Sequence, residues 1–227
     1  MQELLNKFKN ISLEDIIALE NSDRQFIAIK NIYEKNKNIS INNYLSLVIA
    51  NALLAYQLSG TGEDYWEEFS SFVINYDFSN KLNIKLFFDD FLGVCACNKR
   101  LINMKKIRIN KINDFLEIFT GKEEFFYNNM DKMGECLADK MKQKNTDKTI
   151  VFAIKMFGYA GRNIWGFKAF PYNISIPIDS RITKIYNKYN KDSSLNINSF
   201  YKILSEKLGV SPLHLDSLLW INSDKLI

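Results

Sequence analysis

The chain has 227 residues, of which 47% are apolar and 25% charged, with only 9 glycines and 3 prolines. That composition excludes a fibre, a disordered tail and a membrane protein, the length suits one large domain or two closely packed lobes, and the shortage of turn-formers favours helices over sheets. Thirty basic against 26 acidic side chains leave a net charge of +4, which permits nucleic-acid binding without requiring it.

The N-terminal MQELLNKFKNISLEDII interleaves charge with apolar residues, and no run approaches ~18 apolar residues, so neither a signal peptide nor a membrane span is expected. Cys95, Cys97 and Cys136 cannot build a disulfide framework, and a single histidine rules out most zinc sets. The expectation is a cytoplasmic protein with no metal and no cofactor.

Apolar spacing predicts helices along most of the chain. Ser12 opens LEDIIALE, and Ser22 opens DRQFIAIKNIYEKN with Gln25 three residues on, as in a capping box. INNYLSLVIANALLAYQLSG closes at Gly60, and Thr61 caps GEDYWEEFSSFVINYDF. KLNIKLFFDDFLGVCACNKR, NDFLEIF and EEFFYNNMDKMGECLADKMKQK follow as helices, while alternation in KKIRIN and YNISIPI suggests short strands.

After KQKNTD, Thr146 or Asp147 caps KTIVFAIKMFGYAGR, which ends near Gly161. A loop with two of the three prolines leads to Asp179, placed as the N-cap of SRITKIYNKYN. SFYKILSEKLG and SPLHLDSLLWINS complete the chain, the latter with Ser211 as cap and Pro212 at the first helical position. The fold class expected is all-α.

The sharpest chemical feature is Lys148 behind a capping Asp147. There the positive end of the macrodipole works against an ammonium, and a neutral amine is what nucleophilic catalysis by lysine needs. Phe152 and Lys155 lie four and seven residues on, so amine, ring and second amine share one helix face. Asp179 can cap its helix through one carboxylate oxygen and expose the other. Each has a plainer role: a surface lysine, a core phenylalanine, a snorkelling lysine and an ordinary cap.

Taken together, SDRQF around Gln25, LLAYQLSGTGEDYWEEF around Trp66, DKTIVFAIKMFGYAGR, SIPIDSRI around Asp179 and SPLHLDSLLW resemble the helix-hairpin-helix DNA glycosylases, and among them the archaeal 8-oxoguanine DNA glycosylase branch, AGOG. The resemblance spans residues from about 20 to 220. The hairpin KQKNTDK lacks the glycines usual in the superfamily, as in that branch, and there is no cysteine cluster for an iron–sulfur centre.

The resemblance implies one domain of two helical lobes over 1–227, with the hairpin region near 123–190. It implies a monomer acting on DNA that contains 8-oxoguanine, with no membrane partner. The implied reaction is base excision and strand cleavage, with Lys148 as nucleophile and Asp179 as the carboxylate supporting the electron-poor sugar. By the same resemblance Phe152 and Trp220 sandwich the flipped base, Gln25, Lys155 and Asp216 address its edge, and Trp66 and Pro177 close the rim. Stacking barely discriminates among bases, so a hydrogen-bond acceptor facing the N7–H of 8-oxoguanine would select it.

Plainer roles remain for these residues too. Gln25 equally closes a capping box, Trp66 and Trp220 equally serve as buried hydrophobes, and Asp216 as an exposed acid one turn before Trp220. His214 is expected on the surface, and Cys95 and Cys97 in the core. The competing functions are a non-catalytic helical DNA-binding or protein-interaction module and a glycosylase for another lesion.

Overall fold

Side-chain caps set most of the element boundaries in the computed structural model, which describes residues 1–227. The helices are α1 (Gln2–Phe8), α2 (Leu13–Asn21), α3 (Arg24–Lys35), α4 (Ile41–Leu54), α5 (Gly62–Ile74), α6 (Ile84–Val94) and α7 (Ile102–Phe119). They continue with α8 (Glu123–Asn128), α9 (Met130–Met141), α10 (Lys148–Trp165), α11 (Ser180–Tyr189), α12 (Ile197–Leu208), α13 (Pro212–Ile221) and α14 (Ser223–Leu226), and no strand forms.

Ser12 closes a full capping box with Asp15, Thr61 accepts from the Asp64 N–H, and Asp179 from the Ile182 N–H. The cap of α3 differs from expectation. Asp23, not Ser22, takes the Gln25 backbone N–H, and Ser22 instead terminates α2, which leaves the Gln25 side chain free of capping. Ser211 precedes Pro212 without a side-chain capping bond, and Asp147 precedes Lys148 in the same way.

KKIRIN is not a strand but part of α7, because Lys105, Ile109, Ile112, Phe115 and Phe119 bury one stripe at helical spacing over a longer window. YNISIPI is an extended loop: Ile174 and Ile176 are buried as alternation implies, but no neighbouring strand exists to pair with. α4 stops at Leu54, short of Gly60, and α10 runs past Gly161 to Trp165. Gly158 and Gly161 serve as contact surfaces inside that helix. A Cβ there would come within 2.2 Å of the Phe170 ring and 2.3 Å of the Tyr127 ring.

The apolar core falls into two clusters. The larger is built by α3 to α10, and α10 packs against α4, α3, α9 and α8 at its centre. The smaller is built by α1, α2 and α11 to α14. α13 serves both, giving Leu213 to the first and Leu215, Leu218 and Leu219 to the second. The cleft between the clusters therefore has α10 on one wall and α13 on the other. No helix is long and apolar enough to cross a membrane.

Lys105 is the polar anomaly of the larger cluster. Its side chain is fully buried, its amine donates to Asn98 Oδ1 and it lies 4.9 Å from the centre of the Tyr56 ring. Burial pulls its pKa down from 10.5 to about 8. A lysine whose folded pKa is depressed carries a charging penalty below that value, and the penalty disappears as pH rises toward the unfolded value. Wild type should therefore gain stability relative to Lys105→Met between pH about 8 and 10.5. Urea unfolding of both proteins across that window measures it, and parallel profiles would show that Lys105 folds without an electrostatic cost.

Candidate active site

α9 turns into α10 through a tight hairpin at residues 142–147. Without glycine, the left-handed position at the end of α9 is taken by Lys142, with φ 54°. Asp147 secures the turn by accepting from the Lys144 N–H at 3.1 Å, and Arg108 clamps it from α7 by donating to Gln143 at 2.6 Å and Thr149 at 3.1 Å. This braced hairpin delivers Lys148 to the first turn of α10, exposed and in no ion pair.

From Lys148 a stripe of Phe152, Lys155, Tyr159 and Arg162 descends one face of α10 at spacings of four and three. Its upper part lines a cavity of about 150 Å³, the size that admits an aromatic ring. The same cavity is lined by Gln25, Trp66, Pro177, Asp179, Asp216 and Trp220, so all nine residues singled out from the sequence converge on it. Asp179 spends Oδ1 on the Ile182 N–H at 2.8 Å, which leaves Oδ2 uncommitted by that cap. Trp66 has no exposed surface, so it forms an inner wall rather than the rim, edge-on to Phe152 at 6.5 Å.

Deep in the cavity Lys155 and Asp216 form a buried ion pair of 2.5 Å. Burial works against the Lys155 ammonium, but Asp216, with Tyr159 and Asp23, outweighs it and raises the lysine pKa. Burial pushes the Asp216 carboxyl up while Lys155 opposes it.

Beneath lies a second buried set. Glu20 of α2 accepts from His214 Nδ1 at 2.9 Å and from Ser217 at 3.0 Å, and pairs with Arg162 at 2.9 Å. Ser217 in turn meets the Tyr159 hydroxyl at 3.0 Å. Burial disfavours the Glu20 carboxylate, but the His214 hydrogen bond and the Arg162 cation hold it below the usual carboxylate range. His214 is thus buried rather than on the surface. Its Nε2 accepts the Phe170 N–H at 3.3 Å, which assigns the ring proton to Nδ1. This set fastens α13 to α10 one turn below the ion pair.

A family model for AGOG, N-glycosylase/DNA lyase, matches residues 5–226. The chain belongs to this family. The N-glycosylase/DNA lyase of Methanococcus maripaludis is 36% identical over 223 residues, covering 97% of this chain and 86% of that one. That of Nanoarchaeum equitans is 37% identical over 223 residues, covering 96% and 88%. The crystal structure of an 8-oxoguanine DNA glycosylase from Pyrobaculum aerophilum, complexed with 8-oxoguanosine, superposes over the whole chain and 88% of its own with a TM-score of 0.84 at 22% identity, a match of fold. Membership in the AGOG family carries paired N-glycosylase and DNA lyase activity, with DNA as substrate.

In this N-glycosylase/DNA lyase, sequence reasoning missed Ala55, Leu58 and Gly62, which line the cavity, and Asp23, which lies outside its lining but acts electrostatically on Lys155. Asp23 is 5% exposed, with Oδ2 unpaired and its carboxyl pushed up by burial. Its signal was present as a second capping residue beside Ser22. Gly62 lines the cavity, and a Cβ there would sit 3.1 Å from the Gln25 amide nitrogen, a close approach that no sequence pattern announces. Lys155→Met should destabilise the protein by roughly 3–5 kcal/mol, because it strands a buried carboxylate. Adding Asp216→Leu should restore most of that stability without restoring base release. Denaturant melts with activity assays test this, and a single variant as stable as wild type would mean that the pair contributes nothing to the fold.

Proposed function

We propose that this AGOG family member excises 8-oxoguanine from DNA as a monomer, inside the cell, with Lys148 as nucleophile and Asp179 as its supporting carboxylate. The observation that carries the reading is the convergence of Lys148, Asp179 and a stacking pair, Phe152 and Trp220, on one ring-sized cavity. The base flips out of the duplex into that cavity.

The Lys148 amine lone pair then attacks C1′, and the C1′–N9 bond breaks with its electrons leaving on the base, which takes up a proton. The Asp179 carboxylate offsets positive charge on the sugar and accepts the proton that the amine sheds. Opening of the sugar ring at O4′ converts the adduct to a Schiff base. Loss of a C2′ proton then expels the 3′ phosphate by β-elimination.

Phe152 and Trp220 supply stacking worth roughly 1–3 kcal/mol per base, nearly blind to identity. Selection falls to Gln25, Lys155 and Asp216 at the base edge. The buried Trp66 indole N–H, which has no partner within the fold, is a further donor on the wall. The helix-hairpin-helix formed by α9 and α10 presents the whole arrangement to the duplex.

Borohydride should trap wild type on 8-oxoguanine duplexes, and Lys148→Gln should bind them without trapping or cleavage. Undiminished trapping in that variant would assign the nucleophile elsewhere. Asp179→Asn should keep the cap and the stability, since Asn caps about as well as Asp. Its base release should fall on the order of 100-fold or more. Near-normal single-turnover rates would leave Asp179 only its capping role.

A further inference from the structure

Outside the cavity, one contact remains that the reaction above does not use. The Arg181 guanidinium lies 3.8 Å from the centre of the Trp220 ring, and Arg181 is not among the residues that line the cavity. It therefore covers the outer face of the ring whose inner face borders the site. Glu63 holds the arrangement from the side, accepting from Trp220 Nε1 at 3.2 Å and lying 3.8 Å from Arg181. Arg181 is in the first turn of α11, two residues after Asp179, so one helix start supplies both the carboxylate and this cation.

We propose that Arg181 is a positioning residue that promotes base departure through Trp220, an inference that rests on the glycosylase reading. The stack would run Arg181, Trp220, base, Phe152. In the ground state the base is neutral, but as the C1′–N9 bond breaks the ring accepts the bonding electrons and becomes anionic. A cation on the far face of the indole, roughly 7–8 Å from the base plane at van der Waals contact distances, interacts with that charge as it develops. Such an interaction is stronger in the transition state than in the ground state, so it raises the rate of base release more than it tightens binding. The guanidinium also fixes the ring plane, because it stacks flat where an ammonium does not. Glu63 offsets part of the charge but keeps the cation from swinging away.

The discriminating substrate is an abasic duplex, which needs Lys148 and Asp179 but has no base to expel. Single-turnover base release at saturating DNA and strand cleavage at an abasic site would be measured for wild type, Arg181→Met and Arg181→Lys. Arg181→Met should lower base release by ~10-fold, as loss of one cation about 7–8 Å from a developing negative charge implies, and leave abasic cleavage within ~2-fold. Arg181→Lys should recover part of the loss by restoring the charge without the flat stacking.

Equal losses on both substrates, an unchanged rate of base release in Arg181→Met, or an effect confined to the DNA concentration needed for saturation would each overturn the proposal. The last of these would make Arg181 a phosphate contact. A panel of lesions keeps the two readings apart: if wild type releases another base and not 8-oxoguanine, the substrate assignment fails, and the Arg181 comparison is run on the base released.

Discussion

The 2.5 Å ion pair between Lys155 and Asp216 is the constraint on which the site depends. Each partner belongs to a different wall of the cleft, α10 in the larger core and α13 at the junction with the smaller one. Two charges taken out of water are costly unless they meet at good geometry, so burying both favours the arrangement of α10 and α13 that brings these side chains together. The same arrangement puts Trp220, one turn beyond Asp216, and Phe152, less than one turn before Lys155, on the lining of one cavity.

The layer below carries that constraint without adding to the cavity. Glu20 gathers His214, Ser217 and Arg162, and Ser217 reaches Tyr159, so every polar position on the buried stripe of α10 is matched by one on α13 or α2. These contacts tie α10 to α13 and α2 in one relative position, although the Arg162 guanidinium meets Glu20 as an ion pair without a hydrogen bond. A fixed relative position of the two helices keeps the groups that line the cavity together.

The hairpin shows how a turn without glycine is held. A left-handed residue ends α9, and Lys142 adopts that conformation where glycine would do so without strain. Asp147 and Arg108 supply the hydrogen bonds that brace the turn from inside and from α7. The N-glycosylase/DNA lyase family assignment and the fold match are thus consistent with a loop whose sequence departs from the broader superfamily.

The all-helical class, the start of α10 at Lys148 and the cap role of Asp179 were legible from spacing and capping residues, because those are local properties of a few consecutive positions. The shared face of Lys148, Phe152 and Lys155 follows from helical geometry alone. What local pattern misjudged was set by distant partners. KKIRIN alternates over six residues yet joins a longer buried stripe, and YNISIPI alternates with no strand to pair with. His214 is polar and near a helix start, which suggests the surface, but Glu20, 194 residues away in sequence, provides the partner that lets it be buried. Gly62 and Gln25 come together at the cavity lining only in the folded chain, and Arg181 backs Trp220 only because α11 and α13 pack together. By itself the sequence determined most of the helices and which side chains share their faces. The tertiary structure decided which of those groups meet in a buried cleft, where desolvation makes each charge depend on a partner that chain spacing does not encode.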